Sequence, residues 1–513
     1  MPGTAALVAI AVRMTGINKR FGAVAANADV NLTVQAGTVH GLVGENGAGK
    51  STLMSVLYGF YQADSGAVEV FGHSVTIRNA DDAIALGIGM VHQHFMLVDT
   101  LTALENVMLG AEPHWLLSRS DAQVRIKLET LMASTGLQVE LDARVADLPV
   151  GDRQRLEILK TLYRGAKILI LDEPTAVLTP QETQQLFGVL RLLREQGTTI
   201  LLITHKLKEV MQLCDQVTVM RAGRVATEMP IDHASVEGLA EAMVGRKVQM
   251  GRLDEVCKPV GDVLLQATHL TVRDAMNVVR LDDASLTLRG GEIVGVAGVS
   301  GNGQSELLDV LSGMLAPSEG ELTLGESSFS AGAWLDPHLA RTHGLAHVPE
   351  DRHARAMVMD FAAWESAVLG YDGLPEYASG GWMNHAAMKA ATANMMERFD
   401  VRPRDPALLS RSFSGGNQQK LVLARELGQS PKVLLVGQPT RGVDIGAIEF
   451  IYTQLRAMRD AGWAVLVVSS ELDEILALSS RVVVMNQGRI AGELPIEECT
   501  EARLGLLMTG GDA

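Results

Sequence analysis

Gly44-Glu45-Asn46-Gly47-Ala48-Gly49-Lys50-Ser51 is the stretch whose reading decides the fold, because the chain writes it twice. About 254 residues further on it reads Gly298-Val299-Ser300-Gly301-Asn302-Gly303-Gln304-Ser305. The glycines survive in the second copy, while the lysine has become glutamine. A short apolar run leads into each loop, Thr38 to Val43 and Glu292 to Ala297, and a helix-like stretch follows each, Ser51 to Tyr58 and Ser305 to Leu311. Strand, glycine loop and helix form the context in which backbone N–H groups cradle phosphates at a helix N-terminus. Further along, the offset between copies grows to about 265, so the second copy carries small insertions.

The 513 residues suffice for two to four domains, and their apolar, aromatic-poor composition suits an α/β protein. The net charge of −16 argues against a broad nucleic-acid footprint, which needs a basic face, so no nucleic-acid partner is expected. No apolar run reaches the roughly 18–20 residues that span a bilayer. Ala5 to Val12 is too short for a signal peptide and lacks a basic residue ahead of it. Cys214, Cys257 and Cys499 form no CxxC pair, so neither a disulfide framework nor a metal cluster is expected. The most plausible boundary between the copies lies between about Gly245 and Asp262, where the chain is polar and carries Pro259 and Gly261.

In the first copy, Lys50 would neutralise β- and γ-phosphates and Ser51 would ligate Mg2+. Ile168-Leu169-Ile170-Leu171-Asp172-Glu173 reads as a buried strand with two carboxylates at its C-terminal end, where open α/β sheets bind ligands. Asp172 would hold the Mg2+ shell, and Glu173 would polarise an attacking water, a role worth about 10²–10⁴-fold in rate. His205 follows another apolar strand, Thr199 to Thr204, and could hydrogen-bond the γ-phosphate and the water. Gln93, after a short apolar strand, could touch both metal and water. Phe21 could stack on adenine, or it could be a core phenylalanine.

These landmarks, in this order, resemble ATP-binding-cassette ATPases over almost the whole chain. The family signature appears in the second copy as Phe413-Ser414-Gly415-Gly416-Asn417. The resemblance implies two tandem P-loop ATPase domains, residues 10–246 and 263–510, joined by a linker at 247–262. Each would have a RecA-like α/β core, an antiparallel β subdomain and an α-helical subdomain. It implies ATP and Mg2+ as cofactors, with ATP contacts from Phe21, Gly44, Glu45, Asn46, Gly47, Ala48, Gly49, Lys50, Ser51 and Thr52. Metal contacts would come from Ser51, Gln93 and Asp172, and catalysis from Glu173, His205 and Gln93. In this family one cassette's signature closes over the other's nucleotide, so Ser414, Gly415 and Gly416 would complete the first site. The second site has lost its counterparts: Gln304, Glu350, Gly437, Gln438 and Ser470 replace lysine, glutamine, aspartate, glutamate and histidine. The signature facing it reads Leu148-Pro149-Val150-Gly151-Asp152, in which Pro149 lacks the hydroxyl and Asp152 would bring a negative charge towards phosphate. Only the first site is expected to turn over.

Two fused cassettes without membrane spans look like the ATPase of a bacterial importer for simple sugars or nucleosides. Val91-His92-Gln93-His94-Phe95-Met96-Leu97-Val98 and Gln438-Pro439-Thr440-Arg441-Gly442-Val443-Asp444 look closer to the nucleoside branch. The resemblance implies two transmembrane permease subunits, an extracytoplasmic substrate-binding lipoprotein, and a peripheral position on the cytoplasmic face of the inner membrane. Phe95 to Gly110 would lead into the helical subdomain that receives a permease helix, with Glu350, Asp351 and Arg352 as its counterpart. A sugar importer, of the ribose or galactose kind, is the alternative. A soluble double-cassette translation factor, which usually keeps two intact sites and a long basic linker, fits less well.

Overall fold

The six residues Val39–Gly44 are buried at every position. Such a strand belongs inside a parallel sheet covered on both faces, and parallel neighbours flank it, Gln216–Arg221 and Thr199–Ile203. The computed structural model describes residues 9–22, 24–92, 95–110, 121–175, 178, 180–247, 251, 260–299, 301–379, 381–508 and 510. The chain divides into two compact units, residues 1–248 and 249–513. Most of the expected linker lies outside the described residues.

In the first unit the sheet order is Arg224–Pro230, Gln216–Arg221, Val39–Gly44, Thr199–Ile203, Ile168–Asp172, Ile88–Val91. Only Arg224–Pro230 runs antiparallel to its neighbour. The parallel strands therefore all present their C-terminal ends on one edge, and Gly44 and Asp172 end two of them. The loop helix Lys50–Tyr58 buries Leu53, Met54 and Leu57 beneath that edge, against Leu42, Ile170 and Ile203. Each such side chain contributes about 1.5–3 kcal/mol on burial, which fixes the helix start under the loop. A second, antiparallel sheet has the order Val24–Gln35, Ile10–Phe21, Ser65–Val70, His73–Val75. Helices Ala103–Met108, Asp121–Thr135 and Val150–Tyr163 pack together as a helical layer. The first of these starts at a capping box, in which Thr102 and Glu105 satisfy each other's backbone N–H groups.

The second unit repeats this plan. Its parallel sheet runs Leu345–Val348, Val433–Gly437, Ala464–Val468, Glu292–Gly298, Arg481–Asn486, Arg489–Pro495, with the last strand antiparallel. Its antiparallel sheet has the order Val279–Arg289, Val263–Arg273, Glu319–Leu324, Ser327–Ser330. Helices Ala363–Val368, His385–Arg398 and Gly415–Leu427 form its helical layer, beside which Ala378–Ser379 and Trp382–Met383 make a small ribbon. Among the described residues no helix is long and apolar enough to cross a membrane.

Candidate functional site

The first glycine loop needs its glycines for two reasons. Gly47 and Gly49 have φ of 82° and 97°, which side-chain-bearing residues rarely adopt. A Cβ on Gly49 would also collide with the carbonyl of Ala26, and one on Gly44 with that of Met220. Asn27 braces the loop from outside by donating Nδ2–H to the Gly49 carbonyl at 3.1 Å. Lys50 is buried, and its Nζ donates to the carbonyls of Gly44 at 2.7 Å and Glu45 at 3.1 Å. The ammonium is thus held within the curl of the loop, where a phosphate cradled by the loop N–H groups would meet it. Glu45, Asn46, Ala48 and Thr52 lie along the same turn and its helix.

Asp172 ends its strand in register with Ile203, and the Ser51 hydroxyl hydrogen-bonds its carboxylate. Burial and then the neighbouring charge of Glu173 push the Asp172 carboxyl above its usual value, against the pull of Ser51 and Lys50. Two acids side by side in a half-buried edge leave an excess of negative charge that a divalent cation would offset. A serine hydroxyl and a carboxylate are hard oxygen donors of the kind Mg2+ takes, so these residues fit that ion.

Glu173 sits on the next residue with φ of 48°, a left-handed conformation. Its N–H donates to the Ile203 carbonyl at 2.9 Å, and its Oε1 lies 2.8 Å from His205 Nδ1. Burial works to raise the Glu173 pKa, but the hydrogen bond and charge of His205, with Lys50 and Lys206, outweigh it, and the group is lowered overall. It is therefore an ionised acceptor near neutrality. The turn is braced by a buried group that the sequence did not reveal. Glu209 accepts from Thr175 Oγ1 at 2.7 and 2.8 Å and from Thr204 Oγ1 at 3.4 Å. This ties the segment after Glu173 to the one before His205. Lys50, Ser51, Asp172, Glu173 and His205 are brought together; Gln93 lies outside the described residues. Phe21 is 43% exposed and packs edge-on against Tyr61, so it is not a core residue.

The second loop keeps the shape without the charge. Gly301 and Gly303 have φ of 90° and 98°. Gln304 is buried and donates Nε2–H to the Val299 carbonyl at 3.2 Å, folding back on its loop as Lys50 does. Gln438 repeats the left-handed turn at φ 47°, and its Oε1 accepts from the Ser470 N–H and hydroxyl at 3.2 and 3.1 Å.

Ser414 stands at the N-terminal boundary of the helix Gly415–Leu427, and its Oγ accepts from Asn417 Nδ2 at 2.9 Å. Both signature glycines are forced by close approach. A Cβ on Gly415 would lie 2.7 Å from both Arg352 Nη2 and the Gly442 carbonyl, and one on Gly416 would lie 3.0 Å from Ala447. Arg352 donates to the Arg441 carbonyl at 2.7 Å and to Gln418 Oε1 at 3.3 Å, while His353 Nε2 lies 2.9 Å from that same oxygen. In the first unit, Pro149 stands where the signature serine would, before the helix Val150–Tyr163. Asp152 does not carry its charge alone, because Arg155 pairs with it at 2.6 Å.

Each unit has a groove between its helical layer and its sheet. In the first it has a volume of about 340 Å3 and is lined by Tyr58, Met90, His92, Met96, Glu157 and Arg164. In the second a pocket of about 60 Å3 is lined by Ser312, His347, Arg341, Arg355 and Arg425. Two of its arginines are paired, Arg355 with Asp309 and Arg425 with buried Glu426 at 2.8 Å.

Comparison with known proteins bears on all of this. The family model described as ABC transporter matches residues 28–176 and 281–441. The chain is 43% identical to the guanosine import ATP-binding protein NupO of Bacillus subtilis, over 97% of each chain. It is 42% identical to the nucleoside import ATP-binding protein NupA of Lactococcus lactis, over 98% of each. It is 40% identical to the glucose import ATP-binding protein TsgD13 of Haloferax volcanii, over 98% of this chain and 96% of the relative.

Proposed function

The chain belongs to the ATP-binding-cassette transporter family, and from that premise we propose that it hydrolyses ATP to drive nucleoside import. The observation that carries the ATPase reading is the first-unit cluster, in which Lys50 and Ser51 meet Asp172 while Glu173 is set against His205. Mg2+ would be held by Ser51, Asp172 and Gln93, and when bound it neutralises charge on the β- and γ-phosphates. Glu173 holds the attacking water and draws its proton. His205 fixes the carboxylate's rotamer from one side and reaches towards the γ-phosphate from the other. The family pattern supports Ser414, Gly415 and Gly416 as the segment that completes this site. Pro149 and the replacements Gln304, Gly437, Gln438 and Ser470 in the second unit support a single turnover site per chain. The domains proceed as 10–246 and 263–510, with 247–262 between them.

Nucleosides are favoured because two of the compared relatives import guanosine or nucleosides. The glucose relative, only slightly less identical, keeps a sugar as the second reading. Two permease subunits would supply the membrane path and a substrate-binding lipoprotein the specificity, with this chain peripheral at the cytoplasmic face. The roomier groove of the first unit, lined by Met96 just after Phe95, suits an incoming permease helix. The test is uptake of labelled guanosine and of labelled glucose in a strain lacking the chain. The expected result is that wild type restores guanosine uptake and Glu173→Gln does not. Restoration of glucose uptake alone would replace the nucleoside with a sugar.

A further inference from the structure

The helix that follows the signature position carries a buried acid in each unit, and the two acids are satisfied differently. In the second unit the acid is Glu426, on the helix Gly415–Leu427. Its Oε1 accepts from Arg425 Nε at 2.8 Å and its Oε2 from the Tyr371 hydroxyl at 2.7 Å, so both oxygens are used within the chain. In the first unit the acid is Glu157, on the helix Val150–Tyr163. It is 3% exposed and lines the groove of about 340 Å3. The Met96 N–H hydrogen-bonds its carboxylate, but Oε1 is buried and has no donor among the described residues. The counterpart of Arg425 is Lys160, whose Nζ is drawn off to the Met96 carbonyl at 3.0 Å. Arg164 Nη2 is likewise taken by the Leu109 carbonyl at 2.7 Å. Both cations act on Glu157 through space, yet burial outweighs them and the carboxyl is raised. The fold does not need an acid here, because buried Val422 stands at the matching place in the second unit. An acceptor buried without a donor destabilises the chain that carries it.

We infer that Glu157 is a specificity contact for the partner: the first-unit groove takes a permease segment that brings a lysine or arginine side chain to the open Oε1. The second unit shows what this helical layer uses to satisfy a buried acid, a guanidinium and a hydroxyl. In the first unit the guanidinium is the missing part, and the groove is open where it would enter. Asp81, Lys160 and Arg164 line the same groove, so with Glu157 its charges balance and an incoming cation meets no net repulsion. The pocket of the second unit is lined by three arginines and no acid. The same cationic segment is therefore disfavoured there, and Glu157 tells the two seats apart by charge.

This inference rests on the reading of the groove as a permease seat, and not on which solute is carried. The experiment measures the affinity of the full chain for its permease subunits held in lipid nanodiscs, beside thermal unfolding of the chain alone. Glu157→Gln keeps the side chain's size and can still accept from Met96. It should melt no lower than wild type, because an unpaired buried charge has gone, and yet bind the permease roughly 30-fold or more weakly, as when a buried charge pair loses one member. Each lysine and arginine in the cytoplasmic loops of the permease is then changed to glutamine. One of these changes should weaken binding to wild type by a similar factor and add little to Glu157→Gln, the mark of a direct pair. A lower melting temperature in Glu157→Gln would mean that the carboxylate serves the chain's own fold, and would overturn the inference. So would the lack of any permease cation coupled to it. Met96→Trp, which fills the groove, separates the two levels. Weak binding in Met96→Trp with normal binding in Glu157→Gln keeps the seat and removes the cation. Normal binding in both removes the seat itself.

Discussion

The turn after Ile168–Asp172 and the turn after Val433–Gly437 share a backbone and differ in everything that moves a proton. Glu173 and Gln438 have φ of 48° and 47°, and their N–H groups donate to Ile203 at 2.9 Å and Val468 at 2.7 Å. A left-handed residue with a side chain costs roughly 1–3 kcal/mol. The second unit still bears that cost although its residue is no longer an acid. The strain therefore belongs to the fold, which needs the turn to carry the chain off the sheet edge, and the chemistry is an addition to it. Glu173 faces an imidazole and Gln438 a hydroxyl. One pair can hold and pass a proton, and the other can only hydrogen-bond.

The sharpest way to break that contrast is to exchange the acids. Glu173→Gln should lower phosphate release by about 10²–10⁴-fold. Gln438→Glu alone should add nothing, because Gly437, Gln304 and Ser470 remain. Substantial release from Glu173→Gln, or its recovery on adding Gln438→Glu, would mean that the second unit turns over.

A smaller effect separates the buried acids beneath the two turns. Glu209 is hydrogen-bonded by Thr175 and Thr204, and Glu474 lies at the matching place beside Thr440 and Ser469. Burial pushes Glu474 up to about 7, although those two hydroxyls oppose the shift. A carboxyl raised on folding stabilises the native state fully below its unfolded pKa, and that contribution is lost as pH rises through about 7. The shift corresponds to roughly 3 kcal/mol. Thermal unfolding followed from about pH 4 to 8 should show stability declining over this window in wild type and a flatter profile in Glu474→Gln. An unchanged slope in the variant would assign the dependence elsewhere.

The smallest effect concerns the segment after each edge strand. Arg352 clamps it to the signature helix through Arg441 and Gln418. Phe95 stands at the corresponding place in the first unit and has no guanidinium to do so. Arg352→Ala should lower kcat/KM for ATP about tenfold, the worth of one charged hydrogen bond or so. Lysine should rescue little, because one ammonium cannot span both partners. Normal kcat/KM in Arg352→Ala would leave the clamp a merely structural tie.

Much of this was legible in the residues. The glycine loops announce themselves because phosphate cradles demand glycine at fixed positions, and the apolar runs before them are the buried strands seen at Val39–Gly44 and Glu292–Gly298. Contacts between residues distant in sequence were not legible. Glu209 looks like any helical acid until Thr175, 34 residues away, is found bonded to it. Glu350 reads as a lost glutamine until two strands are laid side by side and the side chain is seen to fill the space above Gly437. Asp152 reads as a repulsive charge until Arg155, one helical turn on, is seen to pair with it. Gln93 was singled out for metal and water but lies outside the described residues.

The unequal grooves bear on how a transporter's genes would evolve. The groove of about 340 Å3 in the first unit and the pocket of about 60 Å3 in the second, lined by Arg341, Arg355 and Arg425, offer different surfaces. If two permease subunits dock as proposed, they face different seats, and a mutation that improves the fit at one has no reason to help at the other. A duplicated permease gene would then be under divergent selection from the moment it was copied, so asymmetry begun in the ATPase would be written a second time in the membrane.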